Sequence, residues 1–120
     1  MNRQLLYVLT VAGGVCIALL CMQRYLIDGL QGELWDILLP EDTRYAPQYT
    51  DSEWRRTTVD MTVVQVASRL GPPLDIWTNS DNNTVIMRWT VSPHDSHYRV
   101  RALVFSNETV ISKHQEFYVD

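Results

Sequence analysis

Hydrophobic and polar positions change their pattern twice along the chain. Residues 5–22, LLYVLTVAGGVCIALLCM, hold no charged side chain and are bracketed by Arg3 and Arg24. At about 1.5 Å per residue, a helix over this stretch reaches roughly 27 Å, close to the hydrocarbon thickness of about 30 Å. Leu5 to Met22 is therefore expected to cross a bilayer. Gly13, Gly14 and Ala18 within it are small enough to admit a neighbouring helix at close range, or simply to face lipid. A charged start before an apolar run also describes a secretory signal peptide. This run is longer than the usual signal core, no small-x-small cleavage site follows it, and Leu19 and Leu20 precede Cys21 where a lipidated cysteine needs small residues. Residues 1–24 are read as an uncleaved anchor.

Residues 25–39, YLIDGLQGELWDILL, keep a looser helical period. Leu26, Leu30, Leu34 and Leu38 recur four apart, with Asp28, Glu33 and Asp36 between them. The anchor helix is expected to continue out of the bilayer, weakened at Gly29 and Gly32 by about 1 kcal/mol each relative to Ala. Tyr25 and Trp35 are ring types that favour the headgroup zone. The segment is read as lying on the membrane surface or facing a partner; packing of its leucines on the exported domain is the alternative. Pro40 ends the helix, and the aperiodic stretch after it, with Pro47, reads as a linker. Residues 25–49 are thus a juxtamembrane helix and linker, and 50–120 the folded domain.

In that domain TDSE at Thr50–Glu53 has capping-box spacing and starts a short helix through Trp54 to Arg56. Thr62 and Gln65 repeat the box, with Met61 and Val66 in staple positions. Val63, Val66, Ala67 and Leu70 then share one helical face, and Gly71, Pro72 and Pro73 stop it, so a second helix is expected over 63–70. Beyond Pro73 the period becomes two. Val85, Met87, Trp89 and Val91 share a face in residues 84–91, Tyr98, Val100, Ala102 and Val104 in 98–105, and Ile111, Phe117 and Val119 in the last strand. The expected class is α+β: a transmembrane helix, then two short helices packed on a three-stranded antiparallel meander, with Leu74–Thr78 as the candidate fourth, edge strand.

Composition alters this picture little. A hydrophobic content of 46% with 20% charged residues is ordinary for a folded protein. The net charge of −4, with no cluster of Lys and Arg, excludes a sequence-independent grip on nucleic acid. Cys16 and Cys21 both lie in the apolar run, so the exported part has no disulfide framework and no cysteine zinc site. A short basic head stays in the cytoplasm as a rule, which places residues from Arg24 onward outside it.

The runs DMTVVQVASRLGPPLDIW, MRWTV and ALVFSNETVI resemble the SmpA/OmlA (BamE-like) domain family over residues 50–118. Met61, Thr62, Val66, Leu70, Gly71, Pro73, Trp89 and Phe105 carry the resemblance, with Gln65 closing the cap. It implies a helix-on-sheet domain in a bacterial envelope, here the periplasmic side of the inner membrane. Asp60 stands where the family carries glycine, and the family's lipidation cysteine has no counterpart. The matched positions are caps and core, so they imply a fold more than an activity.

Candidate chemistry is sparse. His94, Asp95 and His97 in SPHDSH are metal-ligand types, but polar turns of this kind are common and a zinc site needs a further ligand, for which His114 is the nearest candidate. Ser92, Asp95, Ser96 and His97 crowd one turn, where base, orienter and oxyanion donors cannot surround a substrate. Neither a GxSxG elbow nor a glycine-rich phosphate loop is present, and Glu41 and Asp42 sit in the expected linker, where nothing separates their pKa values. Asn82-Asn83-Thr84 and Asn107-Glu108-Thr109 match glycan acceptors but read as turn asparagines. No enzyme, cofactor or small-molecule substrate is expected. Trp35, Tyr45, Tyr49, Trp54, Trp77 and Tyr118 fall outside the assigned core faces and are the interface candidates, since aromatic residues dominate binding hot spots. The expected role is an accessory or scaffolding subunit that contacts the lipid bilayer and other proteins of a membrane complex. The alternatives are an envelope assembly factor like the BamE-like family, a subunit of an inner-membrane respiratory or photosynthetic complex, and an inhibitor-like or metal-binding domain.

Overall fold

The first helix, α1, runs from Arg3–Leu38 and is capped by the Asn2 side chain, which accepts a hydrogen bond from the Gln4 amide at 3.2 Å. In the computed structural model, which describes residues 2–39 and 41–120, it is long and apolar enough to cross a membrane, and none of its apolar window is buried. Pro40, to which the sequence assigns the helix stop, and the side chain of Asp36 lie outside the described residues. At Gly29 the helix turns a corner, with φ 73° and ψ −174°. A side chain there would be strained, which explains the glycine. Gly32 is needed for a different reason, because a Cβ at this position would overlap Asp28 Cβ. In a straight helix those positions stand about 5–6 Å apart.

After the corner come β1 (Arg44–Tyr45), α2 (Asp51–Arg56), α3 (Val63–Leu70), β2 (Asp75–Asn79), β3 (Thr84–Arg88), β4 (Thr90–Val91), β5 (Tyr98–Ser106) and β6 (Thr109–Tyr118). The protein is α+β: a long apolar helix, two short helices, an antiparallel four-stranded sheet in the order β2-β3-β5-β6, and a two-stranded sheet of β1 and β4. Leu74–Thr78 does supply the edge strand, β2.

Both short helices start where the caps place them. Thr62 accepts from the Gln65 amide at 3.2 Å, and the Gln65 side chain accepts from the Thr62 amide at 3.0 Å. Thr50 accepts from the Glu53 amide at 3.2 Å, but the Glu53 carboxylate pairs with Arg56 and Arg69 rather than completing a box. Gly71 ends α3 with φ 69°, its amide donating to Ala67 O and its carbonyl accepting from Trp89 Nε1 at 3.1 Å. Val66 and Leu70 are fully buried against Trp89, Leu103, Phe105 and Val110, whereas Ala67 is exposed.

Three expectations are corrected. The stretch read as a linker belongs to the domain: Arg44 and Tyr45 pair with Val91 and Thr90, and Ala46 is in the core. The single strand expected over 84–91 is broken at Trp89, whose flanking halves pair with different neighbours. On β5 the face turned to the helices carries Arg99, Arg101, Leu103 and Phe105, all buried, and not Tyr98, Val100, Ala102 and Val104. The register shift between Val104 and Phe105 has a parallel effect on β6, burying Val110 and leaving Ile111 half exposed.

Candidate functional site

Two features stand out from the core, one on each face of the large sheet. On the helix-covered face, α1 contributes Asp28 just before its corner, and period-two alternation on β5 aims Arg99 and Arg101 at it. All three side chains have no solvent exposure. Arg101 donates from Nη1 to Asp28 Oδ1 and from Nη2 to Oδ2, both at 2.9 Å, a bidentate fork, and Arg99 Nη1 donates to Oδ2. Arg101 Nε also donates to Tyr49 Oη at 2.9 Å, and Tyr49 in turn donates to Asp51 Oδ1 at 2.7 Å. Glu41 and Glu33 approach Arg99 at 3.4 and 3.8 Å.

Burial opposes the charge on Arg101, but the hydrogen bonds it donates to Asp28, together with the neighbouring Tyr49, outweigh it and leave the guanidinium pKa above its ordinary value. Burial likewise keeps the Tyr49 hydroxyl protonated well above the usual range, and pushes that of Tyr45 up to about 12, aided by Glu41. The cluster is a latch: it joins α1 to the middle of the sheet with charges that cannot separate without exposing a buried ion.

Beside the latch, Lys113 Nζ donates to Trp54 O at 2.6 Å and Thr57 O at 2.8 Å, capping the C-terminal carbonyls of α2. It lies over the Trp54 ring at 4.9 Å. Burial, with help from Arg101, lowers its pKa to about 8.

The opposite face of the sheet is different. Asp28 of α1, Trp54 of α2 and Leu70 of α3 all meet side chains of the inner face, so none of the three helices covers the outer one. The register lines up Trp77, Ile86, Val104 and Ser112 as one outer row, and Asp75, Arg88, Ala102 and His114 as the next. Tyr98 and Tyr118 close the far end, with ring centroids 5.7 Å apart. Trp77 is 56% exposed. Arg88 lies over its ring, 4.6 Å from the centroid, and is held there by a bidentate pair with Asp75 that raises the guanidinium pKa. The first row is thus apolar as far as Ser112, and the second carries the internally neutralised Asp75–Arg88 pair with His114 at its end.

The six interface candidates separate in the fold. Trp77 and Tyr118 are exposed and share the outer face. Trp54 is a correction: it is fully buried, its indole N–H donates to Gln115 Oε1 at 2.9 Å, and it belongs to the core. Tyr45 and Tyr49 stack at 5.2 Å and lead inward to Trp54, half-buried. Trp35 is half-buried and lines a small cavity of about 150 Å³ with Asp28, Gln31, Gly32, Gln115 and Phe117.

His94 and Asp95 are exposed on their turn, while His97 Nδ1 accepts from the Asp120 amide at 3.2 Å. The turn is organised by Asp42, which accepts from Ser92 Oγ at 2.6 Å and from the His94 amide at 3.0 Å. The Ser92 bond holds that carboxyl below its ordinary pKa. Among the described residues, no group of three or more His, Cys, Asp or Glu side chains is arranged to hold a metal ion.

The sequence reading missed the latch, although its signal was present: an acid in a leucine-rich helix, and two arginines at i and i+2 on a strand. Comparison with models of known families, with curated proteins and with solved structures gives no match. The SmpA/OmlA resemblance rests on the residues quoted for it.

Proposed function

We propose that the protein is a single-pass, membrane-anchored accessory or scaffolding subunit, with its N-terminus cytoplasmic and its α+β domain in the periplasm of a bacterial inner membrane. It acts by holding other proteins of a membrane complex and performs no chemistry of its own. The observation that carries this reading is the outer sheet face: an apolar row with a half-exposed tryptophan, left uncovered in a domain whose helices all pack on the other side. Tryptophan and tyrosine in such a setting are the residue types that anchor protein interfaces. The latch supports the same reading in a second way. A domain fixed to its anchor presents that face at one height and orientation, so a second contact with a membrane-bound partner becomes effectively intramolecular.

The test is gentle detergent extraction of the full chain from its native membranes, followed by mass spectrometry of the proteins that accompany it. Trp77→Ala is expected to deplete a specific partner while leaving the protein in the membrane; an unchanged set of companions would sink the proposal. A second reading, an envelope assembly factor of the SmpA/OmlA kind, is favoured by Asp60. Its φ of 76° is a conformation suited to glycine, the residue the family carries there. Recovery of β-barrel assembly components in the same experiment selects it.

A further inference from the structure

We infer that α1 beyond Gly29 is an interfacial helix whose aliphatic face, formed by Leu30, Leu34, Ile37 and Leu38, is seated in the lipid of the bilayer surface. This rests on the reading that residues 5–22 span the membrane. The four side chains fall at i, i+4, i+7 and i+8, a single helical stripe. They are 64%, 50%, 80% and 69% exposed, respectively. The domain is met instead by the other side of the helix, where Gly32 is buried and Gln31 and Trp35 line the cavity against Gln115 and Phe117. The leucines therefore do not pack on the domain.

Position supplies the occupant. Glu33 lines a cavity of about 340 Å³ together with Ile17, Leu20, Cys21, Arg24 and Asp51. In a straight helix Glu33 would stand roughly 24 Å along the axis from Ile17. The corner at Gly29 has brought the segment back to the level where the apolar run ends, so its exposed stripe continues the lipid-facing surface of that run. Glu33, which lines this cavity from the returning segment, approaches Arg99 at 3.8 Å. The stripe itself holds only leucine and isoleucine, without the tryptophan, tyrosine or arginine that mark a protein-docking hot spot. An amphipathic helix of this kind buries its apolar side some 5–10 Å into the boundary between headgroups and acyl chains.

The test uses the full chain with Cys16→Ala and Cys21→Ala, purified and placed one copy per phosphatidylcholine nanodisc. Single cysteines are introduced by Leu34→Cys, Ile37→Cys, Leu9→Cys in the span and Ser80→Cys in an exposed turn, and labelled with a membrane-impermeant maleimide. Leu34→Cys and Ile37→Cys are expected to react at least about tenfold more slowly than Ser80→Cys, as lipid immersion requires. If they react as fast as Ser80→Cys while Leu9→Cys is protected, the inference falls and the anchor reading stands. If Leu9→Cys also reacts freely, both fall. Protection in native membranes but not in nanodiscs assigns the stripe to a protein partner and equally overturns the inference.

Discussion

Asp60 holds φ at 76°, and Asn107 and Glu108 sit at 51° and 64° in the two-residue turn between β5 and β6. A side chain in this region costs about 1–2 kcal/mol, less for Asn and Asp, whose short polar groups tolerate it. The Asp60 amide still donates to Val110 O at 2.8 Å, so the strained geometry is held by the sheet rather than by the side chain. Asp60→Gly removes this strain but gives the unfolded chain about 0.4–1 kcal/mol more entropy to lose, so the net gain is expected to be only about a few tenths of a kcal/mol, read as a small rise in the midpoint of denaturant unfolding. Helix caps and stops were legible in the sequence at this scale because each is decided within four residues. The state of the half-buried Tyr45 and Tyr49 was not, because it depends on the burial that the fold imposes on them. Tyr45 titrates near 12 in the fold against about 10 in the unfolded chain. Between those values the unfolded chain loses a proton that the folded one keeps, so stability is intact below pH 10 and declines as pH rises toward 12. Tyr49, also shifted up, adds to the same decline. Lys113, lowered to about 8, works in the opposite direction from about pH 8 to its unfolded value near 10.5. Tyrosinate absorbance followed alongside unfolding separates the two, since only the tyrosine contribution moves with the absorbance.

Elements were legible as elements, but their faces were not. A period of two states that Arg99, Arg101, Leu103 and Phe105 share one side of β5, and Tyr98, Val100, Ala102 and Val104 the other; it does not state which side is covered. Counting apolar residues favours the second set. The first set is buried because Asp28, 71 residues earlier than Arg99, pairs with both arginines while Glu33 and Glu41 approach Arg99, and no local pattern contains that information. The same distance hid the role of α1, where the leucine period was read correctly but the domain is met through Ile27, Asp28 and Gly32. The open face of the sheet emerges from the same reversal: once the arginine side is inside, Trp77, Ile86 and Val104 must be outside. Removing Asp28 takes from the two interior guanidinium groups the carboxylate they share, while Glu41 and Glu33 stay 3.4 and 3.8 Å from Arg99. Asp28→Ala is expected to cost about 3–5 kcal/mol in chemical denaturation, the penalty of breaking a buried pair from one side. Joint replacement of Asp28, Arg99 and Arg101 by leucine and methionine should recover much of that loss, because the desolvation cost disappears with the charges.

For the molecule as a whole, the latch moves the boundary between the apolar helix and the domain. Composition places that boundary near Thr50, after a stretch with prolines, an acidic start and no period. Yet the core contains Ile27 and Ala46, β1 pairs with β4, and Arg55 Nη1 donates to Gln23 Oε1 at 2.8 Å across the junction. A fragment of residues 50–120 would thus lose two core side chains, one of its two sheets, the Tyr49 link to Arg101 and the counter-ion of both buried arginines. For a small domain whose total stability is on the order of 5–10 kcal/mol, that combined loss is sufficient to unfold it. A fragment of residues 23–120 keeps each of these contacts and sheds a stretch whose apolar window is unburied and which meets the rest of the chain where Ile17, Leu20 and Cys21 border the cavity with Asp51. In mild detergent, which shields the Leu30, Leu34 and Ile37 stripe, residues 23–120 are expected to show dispersed amide resonances and a cooperative unfolding transition, whereas residues 50–120 should show neither. A folded 50–120 fragment would mean that the anchor is only a tether, and that Arg99 and Arg101 find other partners when Asp28 is absent.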